Sequence, residues 1–290
     1  LEAKNKNTSN ICSFFLEKSL RLAKYVALVF PKFLLNTPEF STTRAELAQK
    51  SVDAILDFGE KGFPGILVET IAIFINNLAA PANTKVFSLT HRLHLTQPQA
   101  YIFDPELPYW IIYRNQLFDS VCRKLDFDVF EVFRDRQLTN KLLSSSGELR
   151  VLKSRNLSDD GKEILDIPGY DSYISYATAK PLSVFQYLDA PNVYLTPNMT
   201  YKPRMMKKPP HCVVNGSLAI LIPKGGIVPT EKQLAYFSSE EYRAFYQIAR
   251  NFQTRSLNVD ACSVFFYGLL RDEAKPAPEK FDTSVQLSFL

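Results

Sequence analysis

The feature that most constrains the fold is an alternation of helical and short apolar segments near the start of the chain. "YVALVF" (25–30) and "VDAILDF" (52–58) have the length and apolar, β-branched content of buried strands, as does "ILVETIAIFI" (66–75). Before them, "SFFLEKSLRLAK" (13–24) places Phe14, Leu16, Leu20 and Ala23 near one face at helical spacing, and "EFSTTRAELAQK" (39–50) reads as a second helix. Pro31 stops the first strand, and "KFLLNTPEF" makes a loop. The last two strands lie close together, which points to an antiparallel hairpin. A β–α–β step ending in a hairpin belongs to an α/β sheet with helices on its faces. The hairpin loop raises a question. In "DFGEKGFPGILVET" (57–70) a phenylalanine, Phe63, stands among Gly62, Pro64 and Gly65, where a polar tip would cost less. Either the ring folds back onto the sheet as core, or its exposure serves a purpose.

Composition excludes few classes. The chain has 290 residues, enough for one large or two ordinary domains, with 46% hydrophobic and 22% charged residues, as in ordinary globular proteins. No apolar run reaches the roughly 18 residues that cross a bilayer, and no secretory leader opens the sequence, so a cytoplasmic protein without a membrane partner is expected. Cys12, Cys122, Cys212 and Cys262 are scattered, and His91 and His94 have no further ligands nearby in sequence. Neither a disulfide framework nor a metal site is expected. The net charge of +4 decides little, but between 201 and 224 stand Lys202, Arg204, Lys207, Lys208 and Lys224 with no acid among them. Such a cluster is the footprint of a phosphate-binding surface or, equally, of a solvated cationic loop.

After "NNLAAPANTK" the pattern changes. An amphipathic helix is expected within 115–134, and "LRVLKSRNLSDDGKEI" opens a region of short strands and turns that includes the strong strand "SLAILIP" (217–223). "SSEEYRAFYQIARNF" (238–252) is the clearest helix. Its Tyr242, Phe245, Tyr246 and Ala249 form a stripe suited to packing, while Arg250 and Arg255 near its end are either phosphate contacts or helix caps. The tail "RDEAKPAPEKFD" is polar and proline-containing, and is expected to be loosely held.

"FFLEKSLRLAKYVALVFPKFLL", followed by "TTRAELAQKSVDAILDFGEKGFPGILVETIAIFI", resembles the later half of the catalytic domain of gamma-class N6-adenine-specific DNA methyltransferases with a Taq-type target-recognition domain. "LRVLKSRNL" is similar to the start of that recognition domain, and "VYLTPNMTYKPRM", "GSLAILIPK" and "LAYFSSEEYRAFYQ" match its later elements in order. The resemblance covers roughly 11–76 and 149–260. It implies an α/β fold: a partial class I (Rossmann-like) sheet of late strands and hairpin, then a β-rich α+β recognition domain. The expected divisions are 1–78 for the catalytic remainder, 79–148 for a connecting segment, 149–270 for recognition and 271–290 for the tail.

There are departures from the family. "KYVALVF" lacks the Gly-Gly usual before this strand. The family's glycine-containing cofactor turn and its Asn-Pro-Pro-Tyr/Phe motif have no match, "NTPEF" (36–40) and "DIPGY" (166–170) being only echoes. The resemblance therefore implies S-adenosylmethionine in the complete enzyme but no cofactor bound by, and no activity in, this chain alone. It implies double-stranded DNA as a partner, with an N-terminal half or catalytic subunit and a cognate restriction endonuclease as further ones. By position, Phe63 matches the loop aromatic that stacks on a flipped adenine. Lys202, Arg204, Lys207 and Lys208 are the expected phosphate ligands, with Lys153 and Arg155 beside Asn156 as a second group. Asn198, Thr200 and Tyr201 are candidates for base edges. Each has an ordinary alternative as a solvated turn residue. A non-catalytic specificity subunit, or an interaction protein that kept the fold and lost the chemistry, are the competing readings.

Overall fold

The computed structural model describes residues 6, 8–253 and 257–272. Arg255 and nearly all of the proline-containing tail lie outside the described residues. The chain divides into two compact units: the first runs to Asp119 and takes in Gln247–Leu257, and the second holds Ser120–Tyr246 and the described residues from Asn258 on. Among the described residues no helix is long and apolar enough to cross a membrane.

In the first unit, α1 (Ile11–Leu22) begins at Asn10, whose side-chain oxygen accepts the Cys12 N–H at 3.1 Å. Of the apolar stripe expected from the sequence, Leu16 and Leu20 are buried, while Phe14 is exposed together with Ile11, Phe15 and Leu22. β1 (Tyr25–Pro31) follows, then α2 (Ser41–Ala48), β2 (Ser51–Gly59) and β3 (Thr70–Asn76). β3 pairs antiparallel with both β1 and β2 and lies between them. β1 and β2 are therefore parallel to each other. β4 (Asn83–Ser88) adds in parallel beside β2, and β5 (Leu93–Pro98) closes the order β1-β3-β2-β4-β5. The C-terminal ends of β1, β2 and β4 thus fall along one edge of the sheet. Val52, Ile55, Ile71, Ile73, Ile75 and Val86 supply buried core from the inner strands.

Two details differ from the sequence reading. The last strand starts at Thr70 rather than at Ile66, and Ile66, Leu67 and Val68 stand exposed in a loop spanning 60–69. Strand propensity reflects the fit to a pleated, half-buried surface, and among the described residues these three meet no such surface. A register shift at Asp57/Gly59 and the positive φ of Gly59 (55°) turn the chain out of the sheet before them. The stretch expected as a connector also contributes β4 and β5 to the sheet and, farther on, strands to the second unit.

The second unit is built of short strands, in chain order β6 (Leu125–Asp126), β7 (Phe130–Phe133), β8 (Leu149–Leu152), β9 (Ser172–Ile174), β10 (Tyr194–Pro197), β11 (Met206–Lys207), β12 (Cys212–Val214), β13 (Leu218–Pro223) and β14 (Leu269–Leu270). They form a four-stranded sheet in the order β11-β10-β13-β7, a three-stranded one in the order β12-β8-β9, and the pair β14-β6. β13 is flanked on both sides by strands and is buried along almost its whole length, which explains the unbroken apolar run "LAILIP". Val151, Leu152, Val184, Leu195, Val213, Val214, Leu218 and Ile220 belong to one buried cluster. The helix expected within 115–134 is shorter, Gln116–Lys124, and gives way to β6 and β7. The helix Glu240–Ala249 buries Tyr242, Phe245, Tyr246 and Ala249, the stripe expected for packing.

Candidate functional site

The shared edge where β1, β2 and β4 end is the usual place for a site in an α/β sheet, because loops there leave the strands in different directions and open a crevice. Three polar side chains converge at this edge in the interior. Lys32, just beyond β1, is 1% exposed, and Asp57, near the end of β2, is 0% exposed. The Lys32 ammonium donates to Asp57 Oδ2 at 2.6 Å, and the buried Tyr113 hydroxyl donates to the same oxygen at 2.5 Å. Asp57 Oδ1 accepts the Gly59 N–H at 2.8 Å, so both carboxylate oxygens are engaged. Burial first, and then the Asp57 charge, push the Tyr113 phenol well above its ordinary value.

Rings gather beside this cluster. His91, in the turn between β4 and β5, lies 4.5 Å from the Phe252 ring and meets Tyr113 edge-on at 6.3 Å, while Phe252 and Tyr113 are 5.1 Å apart. Burial, and then the Lys32 charge, hold the imidazole below its ordinary pKa of 6.5. Phe252 arrives from far along the sequence. It and Asn251 have positive φ, and Asn251 fixes the segment by accepting the Ile112 N–H at 2.8 Å and donating to the Trp110 carbonyl at 2.7 Å. Lys32, Asp57, Tyr113 and Phe252 were not found from the sequence. Lys32 and Asp57 flank strand ends, a signal that was present, but nothing in the spacing pairs either with Tyr113 or Phe252.

The loop 60–69 leaves from the same edge. Phe63 is 46% exposed, so the ring is not folded into the core, and Ile66, Leu67 and Val68 are 54%, 66% and 40% exposed. Leaving four large apolar side chains in water forgoes several kcal/mol of burial, at roughly 1.5–3 kcal/mol for each when fully buried. A Cβ at Gly62 would stand 2.2 Å from the Thr70 hydroxyl oxygen, so that side chain would have to move, and Gly65 has φ of 79° with open space around it.

The second candidate group divides into exposed and buried members. Lys207 is exposed and stands on the wall of an open cavity of about 430 Å³ also lined by Lys162, Met205, Met206 and Glu231. Lys202 is exposed and paired with Asp159 at 2.8 Å, a bond that lowers the Asp159 pKa. Arg155 is exposed with its guanidinium 4.7 Å from the Tyr170 ring centre. Tyr201 is 48% exposed, and Thr200 forms a local turn with Lys202, donating to its carbonyl and accepting its N–H, both at 3.0 Å. The others are taken up by the fold. The buried Lys208 ammonium donates to the Leu188 carbonyl at 2.7 Å and the Pro209 carbonyl at 3.0 Å, and burial lowers its pKa. The buried Arg204 guanidinium donates to the carbonyls of Lys202, Ser154 and Leu157. Asn156 holds the Lys153 N–H, the Leu165 carbonyl and Asp171, and Asn198 holds Gly216, Asn258 and Val259. Lys153 donates to the Tyr170 carbonyl and to the Ser172 hydroxyl. For Arg204, Lys208, Asn156 and Asn198 the sequence expectation of a DNA contact therefore meets side chains that brace loops from inside. A buried polar group must spend its hydrogen bonds internally, and composition does not reveal which basic residues do so. Arg250 is likewise buried, with its guanidinium on the Leu257 carbonyl.

The resemblance implies a glycine-containing turn after a parallel strand as the place for S-adenosylmethionine. β1 instead runs into Pro31 and Lys32, whose N–H is used by the Glu69 carbonyl at 2.8 Å. β2 runs into Gly59, where the Thr90 hydroxyl fills the space beside Cα. Neither of these two strand ends offers such an open turn.

No family model matches the chain, and no curated protein matches it. Among solved structures the chain is similar to the Type IIL restriction-modification enzyme MmeI in complex with DNA, with a TM-score of 0.48 and 10% identity. The match takes in 89% of this chain and 41% of that one, so the chain spans about two fifths of its length. So slight a likeness establishes neither fold nor activity.

Proposed function

We propose that the chain is the DNA-gripping part of a site-specific adenine N6-methyltransferase of a restriction–modification system, and that Phe63 stacks on an adenine flipped out of the duplex. The observation that carries this reading is the exposed apolar loop bearing Phe63, set at the edge where three parallel strands end. A base inside a duplex cannot present its exocyclic amine, so it must be extruded at a cost of a few kcal/mol. Stacking on an aromatic face returns about 1–3 kcal/mol. An exposed ring on a loop tied down at both ends is suited to that role, and the ordered resemblance of the flanking segments agrees with it.

In the second unit the exposed Arg155, Lys202 and Lys207 are the candidates for contact with the phosphate backbone, and the exposed Tyr201 for a base edge. The Asp159–Lys202 pair is solvent-exposed and is worth little, so Lys202 can exchange it for a phosphate. S-adenosylmethionine would be held by another part of the complete enzyme or by a catalytic partner chain, with a cognate endonuclease as a further partner. A non-catalytic specificity subunit that recruits a separate catalytic chain is the second reading, and it too places the cofactor outside this chain. Gel-shift titration with duplex DNA over a salt series tests the common part of both. Binding that weakens steeply with salt is expected, and no binding at low salt would end both readings. Mixing the chain with the catalytic partner then separates them: methylation that requires this chain's Phe63 supports the first, and methylation indifferent to Phe63 supports the second.

A further inference from the structure

The buried ion pair of Lys32 and Asp57 is not explained by stability. Taking two charges out of water costs several kcal/mol for each ion, and well-packed apolar residues in their place are often as stable or more so. Its geometry suggests another purpose. Lys32 touches both ends of the loop 60–69. Its ammonium holds Asp57, two residues before the loop's entry at Gly59, and its backbone N–H holds the Glu69 carbonyl, immediately before β3. Asp57 carries the hold to the turn itself through the Gly59 N–H, and through its own carbonyl, which accepts the Leu89 N–H at 2.9 Å, to the end of β4. Tyr113 donates to the same Oδ2 that Lys32 engages. Within the loop the backbone is bonded more sparsely, with Lys61 N–H to the Phe58 carbonyl at 3.1 Å and Ile66 N–H to the Phe63 carbonyl at 3.2 Å.

We propose that Lys32, Asp57 and Tyr113 are positioning residues that clamp the two ends of the Phe63 loop and so present its ring in a fixed pose. The clamp is a claim about the loop, and its part in base stacking rests on the reading of Phe63 given above. Rigid presentation matters because ordering a loop on binding subtracts from the stacking gain. A charged pair suits the task because its two hydrogen-bonded partners fix direction as well as distance, which apolar packing does not.

The test uses the whole chain with all three polar groups replaced, Lys32→Met, Asp57→Leu and Tyr113→Phe together, so that no buried charge is left alone. Hydrogen–deuterium exchange is read peptide by peptide, beside thermal melting. The expected result is a folded variant in which the amides of 60–69 exchange at least tenfold faster than in wild type, while those of β2 and β3 keep their protection. Loop exchange within twofold of wild type would overturn the proposal. So would a variant that fails to fold, because the cluster would then be holding the sheet and not the loop. A second arm uses a duplex carrying one mismatched 2-aminopurine. If wild type raises its fluorescence and Phe63→Ala does not, the triple variant should also lose the rise, and a full rise in the triple variant would overturn the proposal. If wild type gives no rise, the reading of Phe63 fails, and the exchange arm still decides the clamp.

Discussion

Lys208 donates to two carbonyls from the interior, whereas Lys207, one residue earlier, is exposed at the end of β11. Strand geometry sends successive side chains to opposite faces, so two adjacent lysines of the same type take opposite fates. Lys208→Met should take the donor from the Leu188 carbonyl, leave the Pro209 carbonyl with only the weak Cys212 thiol, and lower stability by about 1–3 kcal/mol in urea denaturation. Lys207→Ala should stay within about 0.5 kcal/mol of wild type and instead reduce the salt slope of DNA binding by roughly one unit. A reversal of these two effects would show that the inner lysine is the DNA ligand. His91 provides a pH test. Its folded pKa lies below 6.5, so the neutral form is favoured in the fold. That contribution to stability is complete above the unfolded value and is lost as pH falls through the folded one. An NMR titration of the His91 imidazole should give a midpoint below 6.5. A midpoint at or above it would contradict the burial and Lys32 effects. The sequence reading placed Phe63 correctly at a loop tip because glycine and proline mark turns by backbone geometry alone. It could not separate the exposed cations from the buried ones, because that division depends on which carbonyls the fold brings near.

β1 is an edge of its sheet: β3 lies on one side, and among the described residues no strand lies on the other. Tyr25, Ala27 and Val29 are exposed along β1, and Phe74, which is paired with Ala27 on β3, is 40% exposed. An unpaired edge beside exposed apolar side chains invites association. Sedimentation of the isolated chain should show self-association at micromolar concentration, and Tyr25→Lys with Val29→Lys should abolish it. A monomer at all concentrations would contradict this. The strands themselves were legible, since β1, β2, β3 and β13 each coincide with an apolar run closed by a turn signal. The start of β3 was not. Ile66–Leu67–Val68 has strand composition, but the turn-out at Gly59 precedes it and among the described residues no neighbouring surface covers it. The short strands β6 and β7 were likewise missed, because runs of two and four residues carry too little periodicity to stand out from the end of a helix.

The chain as a whole folds as two units, and its order in sequence is not its order in space: Gln247–Leu257 belongs with the residues before Asp119. The α/β character of the first unit and the β-rich character of the second follow from patterning. The return of Asn251 and Phe252 to the first unit does not, because it rests on two positive-φ residues and on hydrogen bonds to Trp110 and Ile112. Asn251→Ala should therefore loosen this segment and lower stability by about 1–3 kcal/mol, read by denaturant melting, and an unchanged midpoint would show that the segment is held by other means. Function at this scale comes down to whether an apolar loop at the strand ends receives a base. The most direct measurement is the affinity of wild type, Phe63→Ala and Phe63→Trp for duplexes that differ only in one mismatched adenine, where extrusion is cheapest. Wild type and Phe63→Trp should favour the mismatched duplex over Phe63→Ala by about 5- to 150-fold, the equivalent of one stacked base. Equal affinity of all three proteins for both duplexes would contradict the stacking role of Phe63.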